Sequence, residues 1–255
     1  MHIVETIAGR VARICINRPE KRNALNLETC RQLLGAFDRA ESDPSIGAVV
    51  ICGNGPAFCA GMDLQEVLSA DQEALVDLHE RLFTVIQRAR KPIVAAVHGA
   101  ALAAGMGLAC NAHIVVASEQ ASFGLTEIRI GLWPVIVFRS VVRAIGERRA
   151  IDLSLTGRTI DASEAKAMGL VSAIVSESSL TQALEWAEKL AGFSPTAVGA
   201  GLEYANRTRA MSWEEAAPIG HRMRAELMAS DDFTEGVRAF LEKRPPVWPS
   251  LHRKV

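Results

Sequence analysis

Four short, continuous apolar runs constrain this chain more than any other feature: Ile46 to Cys52, Pro92 to Val97, His113 to Ala117 and Leu170 to Val175. Strands that are continuously apolar rather than alternating belong to sheets covered on both faces, as parallel strands usually are. Helical patterns such as Leu75, Leu78, Leu82, Val85 and Ile86 separate the runs, which makes the chain α/β. The uneven spacing of the runs argues against a solenoid of strict period.

Residues 2 to 7 and 11 to 16 alternate apolar and polar about Gly9-Arg10 and predict an antiparallel hairpin. A helix capped by Asn26 follows, with Leu27, Leu33, Leu34, Phe37 and Ala40 at roughly helical spacing before the Asp43-Pro44 break. Beyond about Ser178 strand signals stop, and helical segments run to Gly192, after Pro195, from near Ser212 and from Asp232 to Lys243. No stretch is rich enough in Gly and Pro to act as a linker, so a core over 1–192 and a helical region over 193–255 are expected, the latter packing on the core or on a neighbouring subunit.

Composition excludes several function classes. The 28 Lys and Arg balance 29 Asp and Glu to a formal charge of -1, which leaves no basic footprint for a phosphate backbone, so nucleic acid is not expected as a partner. Ile93 to Ala117, within the longest stretch without formal charge, has the length of a membrane span. It contains His98, Asn111 and His113 and is broken by Gly99, Gly105 and Gly107, so buried strand, loop and helix are expected in place of membrane. The N-terminal residues lack the apolar region of a secretory signal, and a cytoplasmic location is expected. Cys15, Cys30, Cys52, Cys59 and Cys110 are odd in number and form no CxxC pair, so neither disulfides nor a zinc site is expected.

Three glycine-rich stretches can carry chemistry: CGNGPAFCAGMDL (52–64), VHGAALAAGMGLAC (97–110) and FGLTEIRIGLWP (123–134). None contains the GK[ST] of a phosphate-binding loop or a GxGxxG fingerprint. What remains is two turns able to bring backbone N–H groups close to a ligand. A helix opening near Ala104 would add unpaired amides at the positive end of its dipole. Close packing of small residues explains the same spacing equally well.

The order of six segments is similar to the crotonase superfamily, the enoyl-CoA hydratase/isomerase family: INRPEKRNALN (16–26), AFCAGMDL (57–64), KPIVAAVHGAALAAGMGLA (91–109), ASFGLTEIRIGLWP (121–134), LTGRTIDASEAKAMGLVSAIV (155–175) and DDFTEGVRAFLEKRPPVW (231–248). The resemblance implies a crotonase-like (ββα)n spiral core with a C-terminal helical trimerisation region, and a homotrimer or dimer of trimers. It implies an acyl-CoA substrate held at its thioester carbonyl by the backbone amides of Met62 and Ala104, with no separate cofactor and no metal. Ala103 and Ala104 stand where the family's second turn usually has glycine, so the hole is expected to survive only with a negative φ there. For CoA itself the resemblance points to Lys21, Arg22 and backbone groups around Ala60 and Asp63, and to Phe240 and Lys243 of a C-terminal helix from the same or a neighbouring subunit.

The family's hydratases use two glutamates. This chain has Gly107 at the first position and Glu127 at the second, a pattern similar to mitochondrial-type 3,2-enoyl-CoA isomerases. Double-bond isomerisation with Glu127 as acid and base is therefore expected, its carboxyl raised toward working pH by burial beside Leu125, Ile128 and Trp133. Hydration with an altered acid/base pair and a non-catalytic acyl-CoA binder are the alternatives. Glu127 could instead cap the following turn or pair with Arg129 or Arg139. His98 and His113 are expected to be structural.

Overall fold

The N-terminal alternation folds as expected into a hairpin, β1 (Ile3–Ala8) and β2 (Val11–Ile16), paired antiparallel from Ile3 opposite Ile16 to Ala8 opposite Val11. The computed structural model describes residues 1–68 and 71–251; residues 69, 70 and 252–255, the last four of which close the expected C-terminal region, lie outside the described residues. Helix α1 (Leu27–Ser42) is capped by Asn26, whose side chain accepts from Thr29 N at 2.9 Å, and it buries Leu33, Leu34, Phe37 and Ala40.

Thereafter the chain coils. A strand of one sheet, a tight turn and a short strand of a second sheet are followed by helix, three times over. The long strands are β3 (Ala48–Gly53), β5 (Ile93–Val97) and β7 (Ile114–Ser118); the short ones are β4 (Ala57–Cys59), β6 (Ala100–Leu102) and β8 (Ser122–Gly124). With β9 (Thr159–Asp161) and β10 (Ala173–Val175) they build a six-stranded sheet in the order β1-β2-β3-β5-β7-β10 and a four-stranded sheet in the order β4-β6-β8-β9. All neighbours from β2 to β10 in the first sheet are parallel, as the continuous apolar runs require. In the second, β4, β6 and β8 run parallel and β9 closes antiparallel.

Helices fill the returns. They are α2 (Leu64–Val67), α3 (Gln72–Phe83), α4 (Val85–Arg88), α5 (Ala104–Cys110), α6 (Val135–Ile145), α7 (Glu147–Thr156) and α8 (Ala162–Met168). The helical pattern through Leu75 to Ile86 falls on two helices, α3 and α4, that meet at Thr84. Helix α9 (Ser179–Ala191) lays Ala183, Ala187 and Ala191 on the outer face of the first sheet, where these small side chains allow close approach to Val50, Val94 and Val116. Helices α10 (Pro195–Arg207), α11 (Trp213–Met228) and α12 (Asp231–Leu241) follow. Asn206 of α10 donates to Ile86 O at 2.9 Å, and the Trp248 indole donates to Gly192 O at 2.7 Å, which fastens this region to the core. Among the described residues no helix is long and apolar enough to cross a membrane.

Candidate active site

Each of the three parallel strands of the second sheet ends two or three residues before a group of the expected site: β4 before Met62, β6 before Ala104 and β8 before Glu127. Because the strands are neighbours in register, with Ala57 opposite Ala100 and Leu102 opposite Gly124, the turns that follow them emerge on one side. Met62, Ala104 and Glu127 consequently line a single cavity of about 460 Å3.

The first two turns touch. A Cβ placed on Gly61, which has φ 105, would lie 2.9 Å from Ala103 Cβ and 3.7 Å from Ala104 N, so glycine is required both for the conformation and for the approach. Leu25 N donates to Gly61 O at 2.7 Å and Asp63 N to Leu25 O at 2.8 Å; Met62 N lies between them with no backbone acceptor among the described residues. Ala104 N, the first amide of α5, likewise has none.

The expected negative φ fails at one position. Ala103 has φ 51 and ψ -120, a conformation that glycine adopts freely and an L side chain rarely does. Bonds on both sides impose it: Ala103 N donates to Gly124 O at 2.7 Å and Ala103 O accepts from Gly107 N at 3.1 Å. The backbone therefore keeps the glycine geometry while carrying a methyl group.

Glu127 opens a short 3-10 turn, and its Oε2 is buried without a hydrogen-bond partner among the described residues. Burial pushes its carboxyl above the ordinary glutamate range. Neither Arg129 nor Arg139 forms an ion pair with it among the described residues. Trp133 lines the cavity as expected, and Leu125 is fully buried. Ile128 is exposed and packs toward Gly157; Ile130 takes its place in the cavity wall because the turn is 3-10 and shifts the phase of the side chains.

Part of the cavity wall, at Val137 and Phe83, packs against Gly107. A Cβ there would lie 2.7 Å from Val137 Cβ and 3.1 Å from Phe83 Cε1, so α6 and α3 occupy the space that a side chain at 107 needs. Leu75, His79 and Phe83, four residues apart on α3, line the cavity together. His79 was hidden in the sequence among the leucines of α3; its spacing from Leu75 and Phe83 is the signal that places it on the inner face. Glu127 and His79 are the ionisable side chains among the described lining residues.

Comparison with known proteins agrees with this arrangement. The family model described as enoyl-CoA hydratase/isomerase matches residues 6–251. The chain belongs to the enoyl-CoA hydratase/isomerase family. It is 39% identical over 250 residues to the enoyl-CoA hydratase EchA19 of Mycobacterium tuberculosis, covering 93% of this chain and 92% of that one. It is 38% identical over 240 residues to the 2,3-dehydroadipyl-CoA hydratase of Escherichia coli, covering 93% and 94%. The crystal structure of an enoyl-CoA hydratase from Mycobacterium smegmatis superposes with a TM-score of 0.92 at 32% identity, over 97% of this chain and 99% of that one. The coiled strand-turn-strand-helix core is thus the crotonase fold, and the chain is an acyl-CoA enzyme of that superfamily.

Most of the residues that the family resemblance links to CoA do not line the cavity. Lys21 is exposed and its Nζ donates to Gln65 Oε1 at 2.7 Å; Arg22 is exposed with φ 50, and its carbonyl accepts from Ala60 N at 3.0 Å. Ala60 lines the cavity. The Asp63 carboxylate caps α2 and accepts from Arg18 at 2.9 Å, so its polar capacity is used within the chain. Phe240 is 82% exposed at the end of α12, and neither it nor Lys243 lines the cavity. His98 Nε2 pairs with Gly55 O at 2.8 Å, and His113 Nδ1 accepts from Ile93 N at 2.9 Å, bonds that brace turns and strand ends.

Proposed function

We propose that this enzyme shifts the double bond of an enoyl-CoA, with Glu127 as the single acid and base. The observation carrying the proposal is the filled wall at Gly107: Val137 and Phe83 stand where a second carboxylate would have to be, leaving Glu127 as the carboxylate among the described lining residues. The thioester oxygen of a 3-enoyl-CoA accepts from Met62 N–H and Ala104 N–H. The Glu127 carboxylate takes a proton from C2, and the electron pair moves into a dienolate whose negative oxygen the two amides stabilise. The pair then returns through the chain, C4 takes the proton from the Glu127 carboxyl, and the product is the 2-enoyl-CoA with the carboxylate restored. One such donor is typically worth about 2.7–4 kcal/mol of barrier. A carboxyl raised by burial serves both halves of the cycle, because the energies of its charged and neutral forms approach each other near working pH.

CoA binding through Lys21, Arg22 and the backbone near Ala60 and Asp63 belongs to the same proposal, as do contacts from Phe240 and Lys243 across a homotrimer or dimer of trimers. Exposed apolar side chains at Trp213, Phe233, Val237, Phe240 and Leu241 support self-association of the C-terminal helices. A cytoplasmic location is supported by five free, buried cysteines.

The names of the relatives favour hydration as the second reading. That reaction needs a second group to hold and deliver water, and the wall at 107 offers hydrocarbon. The deciding experiment assays 3-enoyl-CoA conversion beside loss of crotonyl-CoA absorbance with wild type and Glu127→Gln. Isomerisation lost by roughly 100- to 10,000-fold in the variant supports the proposal. Efficient crotonyl-CoA hydration without isomerisation, or an undiminished variant, overturns it.

A further inference from the structure

His79 is 6% exposed, and its Nε2 is buried with no hydrogen-bond partner among the described residues. A buried polar atom left unpaired costs about 1–3 kcal/mol, so its presence in the wall of a ligand cavity calls for a partner that the folded chain does not supply. Its neighbours within α3 are apolar: Phe83 meets the imidazole edge-on with ring centroids 5.9 Å apart, and Leu75 lies one turn before it. Burial brings its pKa down to about 4, so the ring is neutral near pH 7, with one N–H and one lone pair to offer.

Phe83 fixes where this group lies relative to the chemistry. The same ring that packs against His79 also stands against Gly107, so the imidazole sits one helical turn along the same cavity wall. A purely hydrocarbon chain would leave the imidazole dry and unpaired in the complex. An oxygen on the chain would satisfy it. Charge narrows the choice further: no Lys or Arg is among the described lining residues, and the other ionisable group is the carboxyl of Glu127. Without a countercharge, a carboxylate on the acyl chain would enter a cavity that already holds one acid, whereas a hydroxyl enters at no such cost.

We propose that His79 is a specificity-determining residue that hydrogen-bonds a neutral hydroxyl on the acyl group, so that the enzyme takes hydroxylated enoyl-CoA thioesters in preference to plain or carboxylated ones. This rests on the acyl chain lying in the cavity of the proposed reaction, but not on the role of Glu127, and the test separates the two. Saturated acyl-CoAs cannot isomerise, so their affinities report on His79 whatever the reaction.

The dissociation constants of hexanoyl-CoA, of its analogues hydroxylated at C5 or C6, and of adipoyl-CoA are measured by calorimetry against wild type, His79→Leu and His79→Gln. Wild type is expected to bind one hydroxylated ester about 10-fold more tightly than hexanoyl-CoA. His79→Leu should abolish that ratio while binding hexanoyl-CoA at least as well, and His79→Gln, which can still donate and accept, should restore part of it. A role in folding alone would leave the ratio unchanged in all three proteins. Equal affinity of wild type for plain and hydroxylated esters, a preference for adipoyl-CoA, or a hydroxyl preference that survives His79→Leu overturns the proposal. Loss of isomerase activity in Glu127→Gln with the binding ratio intact leaves His79's role standing; the reverse result removes it without touching Glu127.

Discussion

Arg18 and Asp63 form a buried ion pair at 2.9 Å, each side chain about 10% exposed, that ties the loop before α1 to the turn bearing Met62. Arg18 also donates to Ala24 O, and Asp63 N donates to Leu25 O, so the ion pair and the backbone bonds brace one another. Burial pushes the Asp63 carboxyl up, but the hydrogen bond and charge of Arg18 outweigh it and hold the group below its usual range. Asp63→Ala should leave the guanidinium buried and unpaired and cost about 3–5 kcal/mol. Urea unfolding should show a lower midpoint with an unchanged slope. The pair's contribution is present above the ordinary aspartate pKa and is lost as pH falls through the depressed folded value.

The pH profile of turnover should carry the mark of Glu127. Its folded pKa is raised, and proton abstraction needs the ionised form, so the acid limb of kcat/KM should have its midpoint above 4.5, the ordinary value for the group. Stability moves oppositely: the folded state prefers the protonated carboxyl, so this group's contribution is full below the unfolded pKa and declines as pH rises through the folded one. Glu127→Gln should remove that decline, seen as a flatter dependence of the unfolding midpoint on pH.

Restoring a glutamate at position 107 should fail on its own. The new side chain would collide with Val137, and Gly107→Glu should destabilise the fold by about 1–3 kcal/mol or more without conferring hydration of crotonyl-CoA. Pairing it with Val137→Ala should recover part of the loss, which thermal unfolding of the single and double variants measures as a coupling.

Ala103→Gly should stabilise. The alanine is held at φ 51, a strain of order 1–3 kcal/mol, against which glycine's greater freedom in the unfolded chain sets about 0.4–1 kcal/mol. The net gain should be about 1 kcal/mol, with acyl-CoA binding preserved because Ala104 N keeps its place.

Assembly is tested by one surface change. Phe240→Asp puts a charge on an exposed apolar patch, and native mass spectrometry should show a trimer-based assembly for wild type and a shift toward monomer for the variant.

Local punctuation was legible in the sequence. Asn26 caps α1, because a short polar side chain before an apolar periodicity has few other uses. The family resemblance pointed to Glu127, Met62 and Ala104, and the structure brings all three to one cavity. Three features were not legible. The side of α3 that faces the cavity was ambiguous, because Leu75, Leu78 and Leu82 are all buried and only the tertiary packing separates the row containing His79. The missing side chain at 107 could be read, but Val137, thirty residues later, is what fills its space, and such pairings depend on how α5 and α6 meet. The positive φ of Ala103 contradicts its residue type, and it is held by hydrogen bonds to Gly124 of β8 and from Gly107 of α5, the first of which depends on the tertiary fold.

The three site groups arrive on successive coils of β4, β6 and β8, one per coil. The strands that deliver them stand about 4.8 Å apart before any side chain is considered. The geometry of the candidate site is metered by the backbone lattice. Side chains lining the cavity are free to drift and redirect which acyl group is taken, whereas inserting or deleting even a single residue between a short strand and its turn would break the alignment at once. Lineages built on this frame should therefore diversify by replacement and keep those intervals fixed in length.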